Sequence, residues 1–396
     1  MTESHRSALS GNVVCFSTAD WDTLLPTNKH HLMRRLAARG TRVLYIETLG
    51  TRAPRLASGT DLARIGRRVA RGFAGPVKRE KRLWTVSPVV RPAWSSRAAI
   101  MVNQAAFRAQ LGGVLAKFSD PIAWIYSPYA VYLLEQTSPR RVVYHMVDDL
   151  SAVPGADKEA LREAESLLLA RADVVFCSER SLFDRARRVS PNCYFMPNVA
   201  DFRHFSRNMP LPGNTRLARM ESLRRPRIVF SGNIAPHKVD IDLLAALAER
   251  HRDFEFVLIG PQWEGADAPK SLARLEKLPN ATLLGHVPYE ELPAFLHAAD
   301  VLVIPYVQNE ATRAVFPLKV FEYLATGRPV VASPLPSLLP YRGAVRIAET
   351  LDEWSNALAE ALRDTHEMEL QRRALARRHT WERRITEMEE ALAGLS

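Results

Sequence analysis

Short apolar, β-branched runs alternate with longer stretches of helical spacing along the chain. In the first half the runs are VVCFS (13–17), RVLYIE (42–47), IAWIY (122–126), RVVYHMV (141–147), DVVFCS (173–178) and CYFMP (193–197). Helices are predicted between them over 28–39, 97–118, 157–171 and 180–189. Continuous apolar strands separated by helices predict a parallel sheet covered on both faces. The pattern breaks over 206–226, where Pro, Gly, Asn and Arg read as an inter-domain connection. It restarts with RIVFSG (227–232), FEFVLIG (254–260), ATLLGH (281–286), VLVIPY (301–306), RPVVAS (328–333) and AVRIA (344–348). Helices are predicted over 239–250, 268–278, 289–299 and 317–326, and one long helical stretch covers 351–395. The reading is an α/β chain with two doubly wound, Rossmann-like domains, divided as 1–205 and 206–378, and a helical tail over 379–396.

In such sheets ligands bind beyond the carboxyl ends of the strands, so the chemistry is expected on the loops there and the site in a cleft between the domains. No G-x-G-x-x-G follows the first strand, which removes the standard dinucleotide fingerprint. In FPLKVFEYLATGRPVV (316–331), Phe316, Val320, Phe321 and Leu324 share one arc and are expected in the core. Pro317 is expected at the first helical position and Gly327 at the end. Lys319 and Glu322 share the other face. A lysine in the first turn opposes the helix dipole unless it meets an anion, and a glutamate one turn on can accept from a ribose diol. A solvated ion pair between the two is the alternative. In SGNIAPHKVDIDLL (231–244), Gly232 permits a tight turn and Lys238 stands near a helix start, which suits a diphosphate; an ordinary turn with a surface lysine is the plainer reading. The amides around His286 could read a nucleobase edge, and Asn309 and Thr312 could bond a sugar, although polar loops usually face water.

The charged 24% and hydrophobic 47% of the 396 residues fit a globular protein large enough for two cores. The polar N-terminus does not read as a signal peptide, and no apolar stretch is long enough to span a membrane. Cys15, Cys177 and Cys193 lie in apolar runs without metal spacing and read as reduced thiols, consistent with a cytoplasmic location. The net charge of +11 is concentrated: residues 51–100 hold twelve Arg and Lys against Asp61 and Glu80. Within them, 62–82 reads as a basic amphipathic helix whose Arg64, Arg67, Arg68 and Arg71 would face an anionic membrane. A basic helix packed on the sheet is the alternative. Nucleic acid is not expected as a partner, because aromatics are not interleaved with the charges.

The chain resembles the retaining, nucleotide-sugar-dependent glycosyltransferases of family four, of GT-B fold. The likeness is greatest to the branch that makes teichuronic acid and exopolysaccharides. It is carried by FSTADWDTLLPTNKHHLMRRLAARGTRVLYIE, YHMVDDLS, ADVVFCSERSLFD, MPNVADFRHF, SGNIAPHKVDIDLL, FVLIGP, LLGHVPYEELPAFLHAADVLVIPY and PLKVFEYLATGRPVVAS, in order over about 13–335. The resemblance implies a hexosyltransferase-type enzyme moving a sugar, with retention, from a UDP- or GDP-sugar to a glycan or lipid-linked glycan at the inner face of the plasma membrane. It implies no cofactor and no metal. Glu322 matches the ribose-binding second Glu of the family's paired-glutamate motif. Gly232 and Lys238 match its diphosphate loop, and His286 its base-binding segment. His145 resembles the acceptor-side histidine, with Asp148 or Asp149 as the neighbouring polar group. The first Glu of the motif falls at Ala314, and the usual Arg after the loop glycine is Asn233. Asn309, Glu310, Thr312 and the amides near Phe316 are the candidates to replace the sugar contacts, and Lys319 to take over part of the missing Arg's charge. The tail helix is implied to cross back onto the first domain. A helix cap is the plainer reading of Asp148-Asp149, ahead of a divalent metal site. An epimerase or phosphorylase on the same fold, or a weakly catalytic sugar-nucleotide-binding subunit, are the alternatives for the whole chain.

Overall fold

In the computed structural model, described for residues 8–49, 75–153, 155–262 and 270–395, the chain packs as two compact units. The first takes residues up to Thr23, Thr27–Pro197 and those from Ile385 onward; the second takes Leu24–Pro26 and Asn198–Arg384.

The first unit is built on β1 (Asn12–Phe16), β2 (Arg42–Ile46), β3 (Val77–Glu80), β4 (Leu83–Val86), β5 (Ile122–Ile125), β6 (Arg141–Met146), β7 (Val174–Cys177) and β8 (Cys193–Phe195). Their order is β3-β4-β2-β1-β5-β6-β7-β8, parallel except where β3 runs antiparallel to β4 at the edge. Helices Asn28–Ala38, Arg97–Leu115 and Lys158–Arg171 supply crossovers. Strands β5 and β7 are buried along their whole length and β1 from Val13 onward, which is why they read as unbroken apolar runs. Residues 77–82 correct the expected basic helix over 62–82: Val77 pairs with Thr85 and Lys78 with Trp84, so this part is strand and turn. Paired edge strands tolerate the alternating charge of VKRE. Arg64, Arg67, Arg68 and Arg71 lie outside the described residues. Cys177 and Cys193 sit side by side as free thiols, their sulfurs 3.8 Å apart, and Cys193 is half-buried.

The second unit holds β9 (Arg227–Ser231), β10 (Glu255–Ile259), β11 (Ala281–Gly285), β12 (Val301–Ile304), β13 (Val330–Ala332) and β14 (Arg346–Ile347). All are parallel in the order β11-β10-β9-β12-β13-β14. Phe230, Phe256, Val303, Phe321 and Trp354 are buried in its core, each contributing about 1.5–3 kcal/mol of burial. The unit begins ahead of the predicted connection because Asn198 Nδ2 donates to Phe316 O at 2.8 Å and His204 bonds Tyr289 O through Nε2. The connection itself contains a helix, Thr215–Ser222, capped by Asn214. The stretch predicted as one helix is three: Leu351–Ala361, His366–Arg378 and Trp381–Ala393, broken where Thr365 caps a new N-terminus and at His379-Thr380. Among the described residues no helix is long and apolar enough to cross a membrane.

Strand order reverses direction between β1 and β5 in the first sheet and between β9 and β12 in the second. These switch points open a crevice beyond the strand ends in each unit.

Candidate functional site

At the switch point of the second unit, β9 ends in Ser231-Gly232 and β12 runs into Pro305-Tyr306. The helix Lys319–Thr326 points its first residue there. Lys319 Nζ donates to Tyr306 Oη at 3.0 Å and lies 4.4 Å from the centre of the Phe230 ring, rather than pairing with Glu322. Lys238 Nζ stands 5.3 Å from the centre of the same Tyr306 ring, so one phenol collects two ammonium groups. Burial alone would push that phenol up; Lys238 and Lys319 bring it below its ordinary 10. The helix starts two residues later than Pro317 suggested, with Leu318 at the cap, which puts Lys319 at the first helical position. Phe316, Val320, Phe321 and Leu324 are buried as expected.

Gly232 has a φ of +138°, which favours glycine, and a Cβ there would lie 2.5 Å from Lys319 Nζ, so that ammonium would have to move. Gly260, at the end of β10, has φ +143° and would set a Cβ 1.9 Å from Gly232 O. Gly232 N donates to Ile259 O and Gly260 N to Gly285 O, both at 2.8 Å, which links the ends of β9, β10 and β11. The loop carrying Lys238 is tied to the loop carrying Tyr306 by Asp240 N to Pro305 O (2.8 Å) and Val307 N to Lys238 O (3.1 Å). Asn233, next to Gly232, is exposed.

Asn309 and Thr312 have a local task. Asn309 caps Glu310–Arg313, accepting from Thr312 N, and its Nδ2 donates to His237 O at 2.9 Å; Thr312 Oγ1 donates to Val307 O. They brace the two loops, and their hydrogen-bonding capacity is largely used there. Ala314 is buried behind that short helix. Glu322 is half-buried and accepts no hydrogen bond from the described residues. Burial pushes its carboxyl up to about 7; Lys319 opposes this and Asp201 adds to it. His286 is half-buried, with Nδ1 enclosed and unbonded, and its carbonyl accepts from Arg216 Nη1.

In the first unit, His145 on β6 is 2% exposed, caged by Trp124, Tyr126 and Phe176, with Nδ1 3.1 Å from Tyr126 Oη. Trp124 Nε1 points at the same nitrogen, which leaves Nδ1 the acceptor. Asp149 caps the turn that follows: it accepts from Ser151 N (3.0 Å) and Ser151 Oγ (2.7 Å) and pairs with Arg185 Nη1 at 2.9 Å. Burial would raise its carboxyl, but Ser151 and Arg185 hold it below the ordinary value. The capping reading of Asp149 is the one realised; Asp148 beside it is half-buried. Among the described residues no three His, Cys, Asp or Glu side chains gather as a metal site.

Sequence reasoning missed Tyr306, Phe230, Gly260 and the Tyr323 hydroxyl, which accepts from Ser231 N at 2.8 Å and fixes the end of β9. VLVIPY offered a signal, since a Pro-Tyr directly after a buried strand falls in the switch loop.

Residues 225–366 match the family described as glycosyl transferases group 1, and this span contains every donor-side residue above. Over 184 residues the chain is 30% identical to a Bacillus subtilis protein provisionally named teichuronic acid biosynthesis glycosyltransferase TuaH, covering 46% of this chain and 45% of that one. The chain spans less than half the length of the curated relatives it matches. Its fold is similar to sucrose-phosphate synthase from Thermosynechococcus elongatus (TM-score 0.72, 18% identity, 97% of this chain and 99% of that chain). It is also similar to Anabaena HepE in complex with UDP-glucose (TM-score 0.68, 13% identity, 97% and 99%). The fold is therefore GT-B, and the second unit carries a glycosyl transferases group 1 domain.

Proposed function

We propose that the chain is a glycosyltransferase whose second unit binds a nucleotide-sugar diphosphate at the switch point between β9 and β12. The observation that carries this is the pair Lys319 and Lys238 around Tyr306, beside a glycine whose φ of +138° disfavours a side chain. Two ammonium groups and open backbone at a strand end suit a diphosphate, and as the glycosidic bond breaks they stabilise the charge that gathers on the leaving group. Lys319 supplies the cation that Asn233 does not. Glu322, with its carboxylate free, accepts from the ribose hydroxyls. The amides around His286 face the base.

A UDP- or GDP-sugar is the donor in this reading; the UDP-glucose complex of HepE, a neighbour in fold, supports uridine. The acceptor is a glycan or lipid-linked glycan, transfer proceeds with retention, and the enzyme works in the cytoplasm at the inner membrane face. His145 and Asp148 serve the acceptor side. No bound cofactor is required. One observation favours a second reading: with Ala314 where a glutamate was expected, the chain would bind sugar nucleotides yet turn them over weakly.

The test is direct titration of the purified protein with UDP- and GDP-sugars, followed by product analysis with a glycan acceptor. Donor binding that weakens in both Lys238→Ala and Glu322→Ala, with an α-linked product from an α-linked donor, supports the reading. Unchanged binding in both variants defeats it. Binding without transfer selects the second reading.

A further inference from the structure

A cavity of about 730 Å³ lies in the second unit, at the end of the sheet opposite Gly232. Arg227 opens β9, and Arg328 follows Gly327 at the far end of the helix that starts with Lys319. It is lined by Arg225, Arg227 and Arg328 and by apolar residues that include Met209, Leu211 and Leu217. Glu221 is the one acidic residue among those lining it.

The three arginines differ in what they can still do. Arg227 is 4% exposed, and all three nitrogens of its guanidinium bond carbonyls: Nε on Leu223 O (3.2 Å), Nη1 on Ala298 O (3.3 Å), Nη2 on Leu223 O (2.8 Å) and Glu221 O. Its charge thus enters the wall without a carboxylate bonded to it. Arg328 uses only Nη2, on His297 O at 2.6 Å. Arg225 uses only Nη1, on Asp300. The Nε of each, with Arg328 Nη1 and Arg225 Nη2, makes no hydrogen bond among the described residues. Burial lowers the Arg328 guanidinium, and Asp300 opposes this while Arg225 adds to it. Planar guanidinium forks with spare donors suit phosphate oxygens, and the volume falls within the ~300–1,000 Å³ of small-molecule sites.

We propose that this cavity binds a small phosphate ester, with its phosphate on Arg225 and Arg328 and an apolar body against Met209, Leu211 and Leu217. Such a group occurs on a lipid phosphate or on a soluble metabolite. The site is separate from the proposed donor site and joined to it by β9 and by the Lys319–Thr326 helix.

Calorimetric titration with hexyl phosphate, glucose 6-phosphate and inorganic phosphate tests it. Expected is saturable binding of hexyl phosphate to the full chain, tighter than of the other two. Arg328→Gln should weaken it about tenfold, since it removes a charged hydrogen-bond donor to the phosphate. Because Arg328 also holds His297 O, Met209→Glu is the second variant: this exposed position brings a carboxylate to the apolar wall and should abolish binding while leaving the melting temperature in place. No binding to the wild-type chain, or wild-type affinity in both variants, overturns the proposal. Equal affinity for all three phosphates overturns the apolar body.

Discussion

The two switch points of the molecule are built alike and charged differently. In each, a tyrosine follows the strand beyond the crevice, Tyr126 after β5 and Tyr306 close after β12, and a lysine ammonium lies over the ring. In the first unit Ser17 follows β1, and its hydroxyl lies 2.5 Å from Tyr45 Oη and accepts from Ala19 N. Trp21, His30 and Tyr45 then pack ring against ring at 5.0–5.6 Å. In the second unit the residue after β9 is Gly232, whose φ of +138° disfavours any side chain. Both phenols are buried, yet Tyr126 is pushed well above its ordinary 10 by burial and by Cys15, while Tyr306 is drawn below it. Two lysines outweigh burial where none of the first unit's groups does. The lesson is that the shared fold provides the crevice, and a few residues decide whether it holds an anion.

The contrast predicts where substitutions act. Lys319→Met should lower affinity for the nucleoside diphosphate about a hundredfold, whereas Lys29→Met over Tyr126 should leave it unchanged; titration of both variants checks this. A charged contact to phosphate is worth about 1.5–3 kcal/mol, and Lys319 also orders Tyr306. Next comes Gly232→Ala. Forcing a Cβ into φ +138° costs about 1–3 kcal/mol and displaces Lys319, so both melting temperature and diphosphate affinity should fall. Ser17→Gly, at the matching place in the first unit, should leave diphosphate affinity intact.

Glu322→Gln should part stability from function. The carboxyl is held at about 7 against an ordinary 4.5, so the fold binds its proton more tightly than the unfolded chain does. That contribution is fully present below pH 4.5 and is lost as pH rises through about 7. Above that pH ionised Glu322 costs the ligand-free fold on the order of 3 kcal/mol. The glutamine variant should therefore melt higher than wild type at alkaline pH and level with it in acid, while binding the nucleotide about tenfold more weakly. The smallest effect belongs to Asp149→Asn, which loses the Arg185 ion pair and part of a cap. It should cost about 1 kcal/mol in a denaturant titration and nothing in nucleotide binding.

Much of the fold was legible because buried parallel strands write themselves as apolar runs, and all six predicted in each half are present. What was hidden has physical causes. VKREKRLW carries an edge hairpin, where pairing rather than burial specifies the strand, so charge masks it. The three final helices read as one because neither break holds Gly or Pro. At the site, Gly232, Lys238, Lys319 and Glu322 were readable as strand-end and helix-start residues. Tyr306 was not, since an aromatic after a strand normally reads as core. Asn309 and Thr312 read as free polar groups, and only the three-dimensional loop pairing shows them bonded to each other and to His237 O.

The central claim is that Lys319, seated against Gly232, receives the donor's diphosphate. Calorimetric affinities for UDP and uridine, or GDP and guanosine, compared between the wild type and Lys319→Met, test it most directly. The account predicts a strong preference of the wild type for the diphosphate that collapses toward the nucleoside's affinity in the variant. A preference that survives intact in Lys319→Met would contradict it.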